Sequence, residues 1–426
     1  MSGKIAGDRP KTGGSFETAA LEIFYKNDAA FCTKGKNSLR SPQNPQWELY
    51  NLPVKPGNRA RGAAAAAPLA RFLHPIAADW RTRQSKWKRG GTMKQKSVLG
   101  IILGDHAGSS PEMAAKTVLA CGGAYIPVLI GNRERFGLSC RSVRGAERLR
   151  LVPLSGRPDG CGEDEVYFCD VPAGPDIRFS TVTADSGRLM YDSMRRTMEL
   201  ERAGILDGFS MAPITKAGFH AAGLPYSSEF EVFAEFYQVP SVTSVIKCED
   251  IFRSTVVGHC AFRDIVSRLS ADGIVKTGRT LRRIMGLFLS PERCRISVAA
   301  LNPHAGEDGL FGDEELTIIT PAIEQLRREG LEVIGPCPAD TVFLKARNGE
   351  VGGVVFLYHD QGNIAMKSCF FGDGVLIYTN TPAAIVSVGH GPAYGKAGKG
   401  TADPKNLIAS MEVLRNLVEK RGEAHA

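Results

Sequence analysis

Much of what usually announces a function is missing from this 426-residue chain. No stretch approaches the roughly 18 uninterrupted apolar residues of a membrane-spanning helix, which excludes that class. Ten cysteines are scattered without one CxxC pair, and no secretory signal opens the sequence. That pattern argues against a zinc ribbon or disulfide scaffold and for reduced thiols in a cytoplasmic protein. An HExxH metal motif, a P-loop ending in GKS or GKT, and an internal repeat are all lacking as well.

Basic charge is scarcer than it looks. The chain carries 53 Lys and Arg against 45 Asp and Glu, a net +8. Residues 1–92 hold 16 of the basic and 6 of the acidic residues, so the remainder, with 37 and 39, is almost neutral. Such a body offers no electrostatic footprint for nucleic acid. Residues 1–92 also lack the periodicity of a domain: they contain five consecutive alanines, a Pro/Asn/Arg-rich stretch and a basic run. The expectation is a disordered leader, or a start placed too early with Met93 as the true beginning. Glu17, Glu22 and Asp28 argue against a transit peptide.

What is present from residue 93 to 426 is a globular body long enough for two lobes sharing a cleft. Apolar runs alternate with amphipathic segments, which predicts an α/β fold with a largely parallel sheet. Strands are expected at residues 97–103, 125–130, 209–212, 242–246, 253–257, 296–300, 331–334 and 354–358. Helices are expected at 113–120, 184–203, 229–236, 265–271, 278–288, 317–329 and 406–420. Residues 135–180 read as edge hairpins and loops, and 363–366 as strand-like.

Three histidines follow such apolar runs: His259 after Val256-Val257-Gly258, His304 in Asn302-Pro303-His304, and His359 after Leu357-Tyr358. Polar loops at the carboxyl ends of core strands are where open α/β sheets carry chemistry. One such histidine has little weight, but three in equivalent positions suit a divalent metal with open coordination positions. Cys260, next to His259, is expected to point to the opposite face. Lys216 reads as either a solvated lysine or an anion contact, and Lys367 reads as exposed. Gly389-His390-Gly391 through Gly398-Lys399-Gly400 is the richest glycine loop, outside any strand–GxGxxG–helix context. It is either a flexible crossing or a backbone that closely approaches a nucleotide.

Together these segments resemble the 4-hydroxythreonine-4-phosphate dehydrogenase family from about residue 97 to 409. The likeness rests on Asn302-Pro303-His304-Ala305-Gly306-Glu307, Pro338-Ala339-Asp340-Thr341, Tyr358-His359-Asp360-Gln361-Gly362 and Ala397-Gly398-Lys399-Gly400-Thr401-Ala402-Asp403-Pro404. The resemblance implies a two-lobed fold like that of isocitrate and isopropylmalate dehydrogenases, working as a homodimer with both subunits contributing to each site. It implies NAD or NADP bound by loops that include Gly389, His390, Gly391, Gly398, Gly400 and Asp403. It maps the metal ligands onto His259, His304 and His359; zinc, magnesium and manganese all remain open, with three imidazoles leaning towards zinc. It also implies oxidation of a secondary alcohol beside a carboxylate-bearing carbon, followed by loss of carbon dioxide.

Several substrate positions depart from the family. Its His and Thr fall at Glu229 and Phe230, its Asn at Leu376 and its Arg at Ile385, while Lys367 matches. His106 stands where the family has Pro, and Ser110 where it has Gly. An arginine fork suits an anion far better than an aliphatic side chain does. The expectation is therefore an unphosphorylated hydroxy acid or dihydrodiol carboxylate. Lys367 and Asp360 would be catalytic, and Glu229, Phe230 and Lys367 would bind substrate. The alternatives are 4-phosphohydroxy-L-threonine or a four-carbon sugar-acid phosphate, with Arg253 or Arg263 supplying the anion contact, and a non-catalytic metal- or nucleotide-binding relative.

Overall fold

The computed structural model describes residues 96–370 and 374–424, with side chains to residue 420. The expected leader lies outside the described residues. Twelve strands form one sheet in the order β3-β4-β2-β1-β5-β12-β11-β6-β7-β10-β8-β9. They are β1 (Val98–Ile102), β2 (Ile126–Gly131), β3 (Arg150–Pro153), β4 (Glu165–Asp170), β5 (Gly208–Met211) and β6 (Thr243–Cys248). They continue with β7 (Ile251–Val257), β8 (Ile296–Ala299), β9 (Val333–Cys337), β10 (Gly353–Tyr358), β11 (Val375–Thr379) and β12 (Ile385–Val388). The helices are α1 (Ser110–Ala120), α2 (Arg133–Cys140), α3 (Ala184–Arg202), α4 (Lys216–Ala221), α5 (Glu229–Tyr237) and α6 (Ile265–Arg268). They end with α7 (Ala271–Met285), α8 (Thr320–Arg328), α9 (Val342–Arg347), α10 (His359–Cys369) and α11 (Lys405–Ala424). No described helix is long and apolar enough to cross a membrane.

The sheet is parallel in two stretches, β3 to β12 and β7 to β9, joined by antiparallel pairing of β12 with β11, β11 with β6, and β6 with β7. This agrees with the largely parallel α/β expectation. Central strands read as unbroken apolar runs because helices cover both faces, as in β1, where all five residues are buried. Helix α3 starts at a capping box between Thr183 and Ser186. It buries Leu189, Met190, Met194, Met198 and Leu200, a stripe at helical spacing.

Three local expectations fail. Residues 135–180 contain most of α2 and two parallel strands, the edge strand β3 and its neighbour β4, rather than hairpins. Strand β3 hid because its four residues are only half-buried or exposed. The break expected between 271 and 278 is absent: α7 runs through Gly273 and Gly278, capped by the Ser270 side chain on the Gly273 N–H. A Cβ at Gly278 would lie 2.7 Å from Leu326 of α8, so this glycine permits helix packing. The strand-like segment 363–366 lies inside α10.

Candidate functional site

Strands β7, β10 and β8 are neighbours and mutually parallel, so their carboxyl ends open on one edge. His259 lies two residues beyond β7, His359 begins α10 directly after β10, and His304 lies five beyond β8. The His259 and His359 rings are 4.5 Å apart. They line a cavity of about 340 Å³ with Cys260, Phe262, Tyr358 and Asp360. Cys260 was expected to face away, but β7 ends at Val257 and the alternation ends with it.

His304 does not join this pair. Among the described residues, no three His, Cys, Asp or Glu side chains come together as a metal-holding group. His304 starts a run of left-handed residues, with φ of 54° at His304, 59° at Ala305, 82° at Gly306, 45° at Glu307 and 55° at Asp308. Only one of these is glycine, so the turn stores strain that its surroundings must overcome. The buried Glu315 supplies part of the restraint. Its Oε1 accepts the N–H of Leu301 at 2.7 Å and of Asn302 at 2.8 Å, and its Oε2 accepts the Asn302 amide at 2.8 Å.

His359 is fixed on both nitrogens. Nδ1 lies 2.7 Å from Asp360 Oδ1, and Nε2 lies 2.6 Å from Asn363 Nδ2. Arg253 donates to Asn363 Oδ1, which orients that amide to donate to Nε2. The ring therefore carries its proton on Nδ1, toward the carboxylate. A carboxylate on one nitrogen is the usual partner of a metal-ligating imidazole, so the His359 ring suits a metal once Nε2 exchanges Asn363 for it. Burial lowers the pKa of His259, and Lys216 and then His359 lower it further. Both effects keep its imidazole neutral, as metal binding requires. The charges of Glu229 and Asp360 oppose that shift without reversing it.

Glu229 opens α5 and is buried, and its Oε1 accepts the Tyr378 hydroxyl at 3.0 Å. Phe230 packs on the same ring, with centroids 5.0 Å apart. Lys216 and Lys367 are exposed. Arg253 is 4% exposed, held by Asn363 and Thr255, and not among the residues that line the cavity, while Arg263 is exposed. Ile385 is fully buried in a core cluster. Sequence reasoning missed Asn363, Tyr378 and Glu315. The signal for Asn363 was its place four residues after His359, visible only once 359–369 is read as helix.

The glycine loop lies beside the loop after β1. Ser109 donates from its N–H (2.7 Å) and its hydroxyl (3.0 Å) to the Pro392 carbonyl, and Tyr394 donates its hydroxyl to Asp105. Gly389 and Gly391 are exposed, and the His390 Nδ1 is 3.0 Å from the Gly391 carbonyl. Gly398 and Gly400 take left-handed φ of 72° and 66°, and Asp403 accepts the Lys405 N–H through its side chain.

The family described as "Pyridoxal phosphate biosynthetic protein PdxA" matches residues 127–414. A D-threonate 4-phosphate dehydrogenase of Salmonella typhimurium is 33% identical over 332 residues, 76% of this chain and 100% of that protein. A 4-hydroxythreonine-4-phosphate dehydrogenase of Desulforapulum autotrophicum is 34% identical over 330 residues, 75% of this chain and 94% of that protein. The crystal structure of a 4-hydroxythreonine-4-phosphate dehydrogenase from Klebsiella pneumoniae aligns with a TM-score of 0.67 at 30% identity, covering 77% of this chain and 99% of that one. With family signatures on the strand-end loops and relatives matched along nearly their whole length, this chain belongs to the PdxA family of dehydrogenases.

Proposed function

We propose that this dehydrogenase oxidises the secondary alcohol of a phosphorylated four-carbon hydroxy acid, using NAD or NADP and a divalent metal held by His259 and His359, with His304, which stands apart from that pair here, as the third ligand. The observation that carries this reading is the placement of those histidines at the carboxyl ends of three adjacent parallel strands. The relatives named for 4-hydroxythreonine 4-phosphate and D-threonate 4-phosphate support the substrate class. This reverses the expectation of an unphosphorylated substrate. A bound metal would polarise the reacting oxygen as a Lewis acid, and three imidazoles favour zinc over magnesium or manganese.

The chain's own residues divide the remaining work. Asp360 fixes the His359 ring through Nδ1. Lys367 and Lys216, both exposed, draw in the anionic substrate, and Lys367 is given the proton transfer. Glu229, its one oxygen taken by Tyr378, offers the other to a substrate hydroxyl. Phe230 walls that side. Gly389, His390, Gly391, Gly398, Gly400 and Asp403 form the cofactor loop. Exposed apolar side chains follow each histidine: Phe262 and Val266, Leu310 and Phe311, and Ile364. They support a homodimer in which this edge is covered by a second copy.

A second reading, an unphosphorylated hydroxy acid or dihydrodiol carboxylate with coupled decarboxylation, is favoured by Glu229 and by the aliphatic Ile385. The test offers metal-loaded enzyme phosphorylated and unphosphorylated forms of the same hydroxy acids, following reduced cofactor and carbon dioxide. Preference for the phosphorylated form is expected. Turnover of the unphosphorylated form alone would replace this reading with the second.

A further inference from the structure

Glu112 lies in the first turn of α1, fully buried, and neither carboxylate oxygen closes a hydrogen bond. Burial raises its pKa, and the backbone N–H groups of Gly398, Gly400 and Lys399, with the Lys116 charge, oppose that rise. These amides lie near the buried carboxylate without closing a hydrogen bond to it. One turn further on, Lys116 Nζ donates to the carbonyls of Gly400 at 2.8 Å and Ala402 at 2.6 Å. Residues four apart share a helix face, so α1 holds one short segment by its donors and by its acceptors. The segment is boxed in from outside too: a Cβ at Gly400 would fall 1.9 Å from the Ser142 carbonyl oxygen. Gly391 is different, since a Cβ there would meet nothing within 4 Å.

We propose that Glu112 occupies the amide cradle of residues 398–400 as a built-in anion and, with Lys116, clamps residues 398–402 in the shape the nicotinamide cofactor needs. Gly398 and Gly400 then shape the site, and the cofactor's anionic groups fall to the open Gly389-His390-Gly391 end. Glu112 and Lys116 are positioning residues. The proposal rests on the reading of this loop as the cofactor site.

The test is a fluorescence titration of the full chain with reduced nicotinamide cofactor, beside steady-state kinetics. Lys116→Met is expected to weaken binding about tenfold, the loss of one strong polar contact, and Glu112→Gln to weaken it in the same direction by removing the charge. The change should appear in KM for the cofactor far more than in kcat, and Lys116→Arg should restore most of it. A Lys116→Met variant that binds cofactor like the wild type overturns the clamp. Gly391→Val tests the underlying reading separately. If that variant binds normally, the loop is not the cofactor site. If it weakens binding and Lys116→Met does not, the clamp alone is wrong. Should Glu112→Gln fail to fold, the two Lys116 variants decide.

Discussion

Replacing Arg253 by methionine should leave the fold as stable as before or more so, and should spare catalysis. The guanidinium is 4% exposed, donates to Thr255 at 3.0 Å and to Asn363, and leaves its Nε buried without a partner. Burial alone pulls its pKa from 12.5 down to about 10, with no carboxylate to hold it up. That drop corresponds to about 3 kcal/mol against the charged form in the folded state. Because the folded pKa is the lower one, the folded state binds fewer protons between pH 10 and 12.5. The cost is therefore constant through neutral pH and is relieved only as pH rises past 10. Methionine removes this cost while filling similar space, and the hydrogen bonds lost with it are worth about 1–3 kcal/mol. The net expectation at neutral pH runs from no change to about 2 kcal/mol of added stability, read by urea unfolding. Because the guanidinium does not line the cavity, KM for a phosphorylated substrate should rise less than about tenfold. A loss of more than 2 kcal/mol, or a KM raised about a hundredfold, would refute this reasoning and show the guanidinium paired with substrate.

Two further perturbations have defined signs. Tyr378→Phe leaves a buried Glu229 oxygen without its donor, costing about 1–3 kcal/mol in urea unfolding and lowering kcat/KM; unchanged values in both assays would contradict the role given to the pair. His106 donates Nδ1–H to the Gly104 carbonyl and accepts the Asn132 N–H on Nε2, an arrangement only the neutral ring can make. Burial accordingly lowers its pKa to about 4. The unfolded chain takes up that proton first, so the full stability above pH 6.5 falls by up to about 3 kcal/mol as pH drops to 4. His106→Gln should flatten that acid slope, and an identical slope would count against it.

The histidine edge was legible because strands buried on both faces leave unbroken apolar runs, and the polar residues that end them stand out. Helix α10 was not, since its opening residues His359-Asp360-Gln361-Gly362 carry no clear period, and the Asn363 contact vanished with it. The Glu229–Tyr378 bond joins residues 149 apart, beyond any local pattern. Glu315, thirteen residues past Asn302, holds the residues just ahead of the left-handed turn at His304, a pairing that no local pattern announces. The edge strand β3 and its neighbour β4 are only partly buried, so they lacked the unbroken apolar run that revealed the central strands.

The most direct test of the central claim is reduced-cofactor formation from D-threonate 4-phosphate and 4-hydroxythreonine 4-phosphate by chelator-stripped enzyme, before and after adding back zinc, manganese or magnesium. The account predicts no turnover in the stripped enzyme, recovery with metal, and loss of that recovery in His259→Ala and His359→Ala. Turnover that persists without metal, or that survives both substitutions, would contradict it.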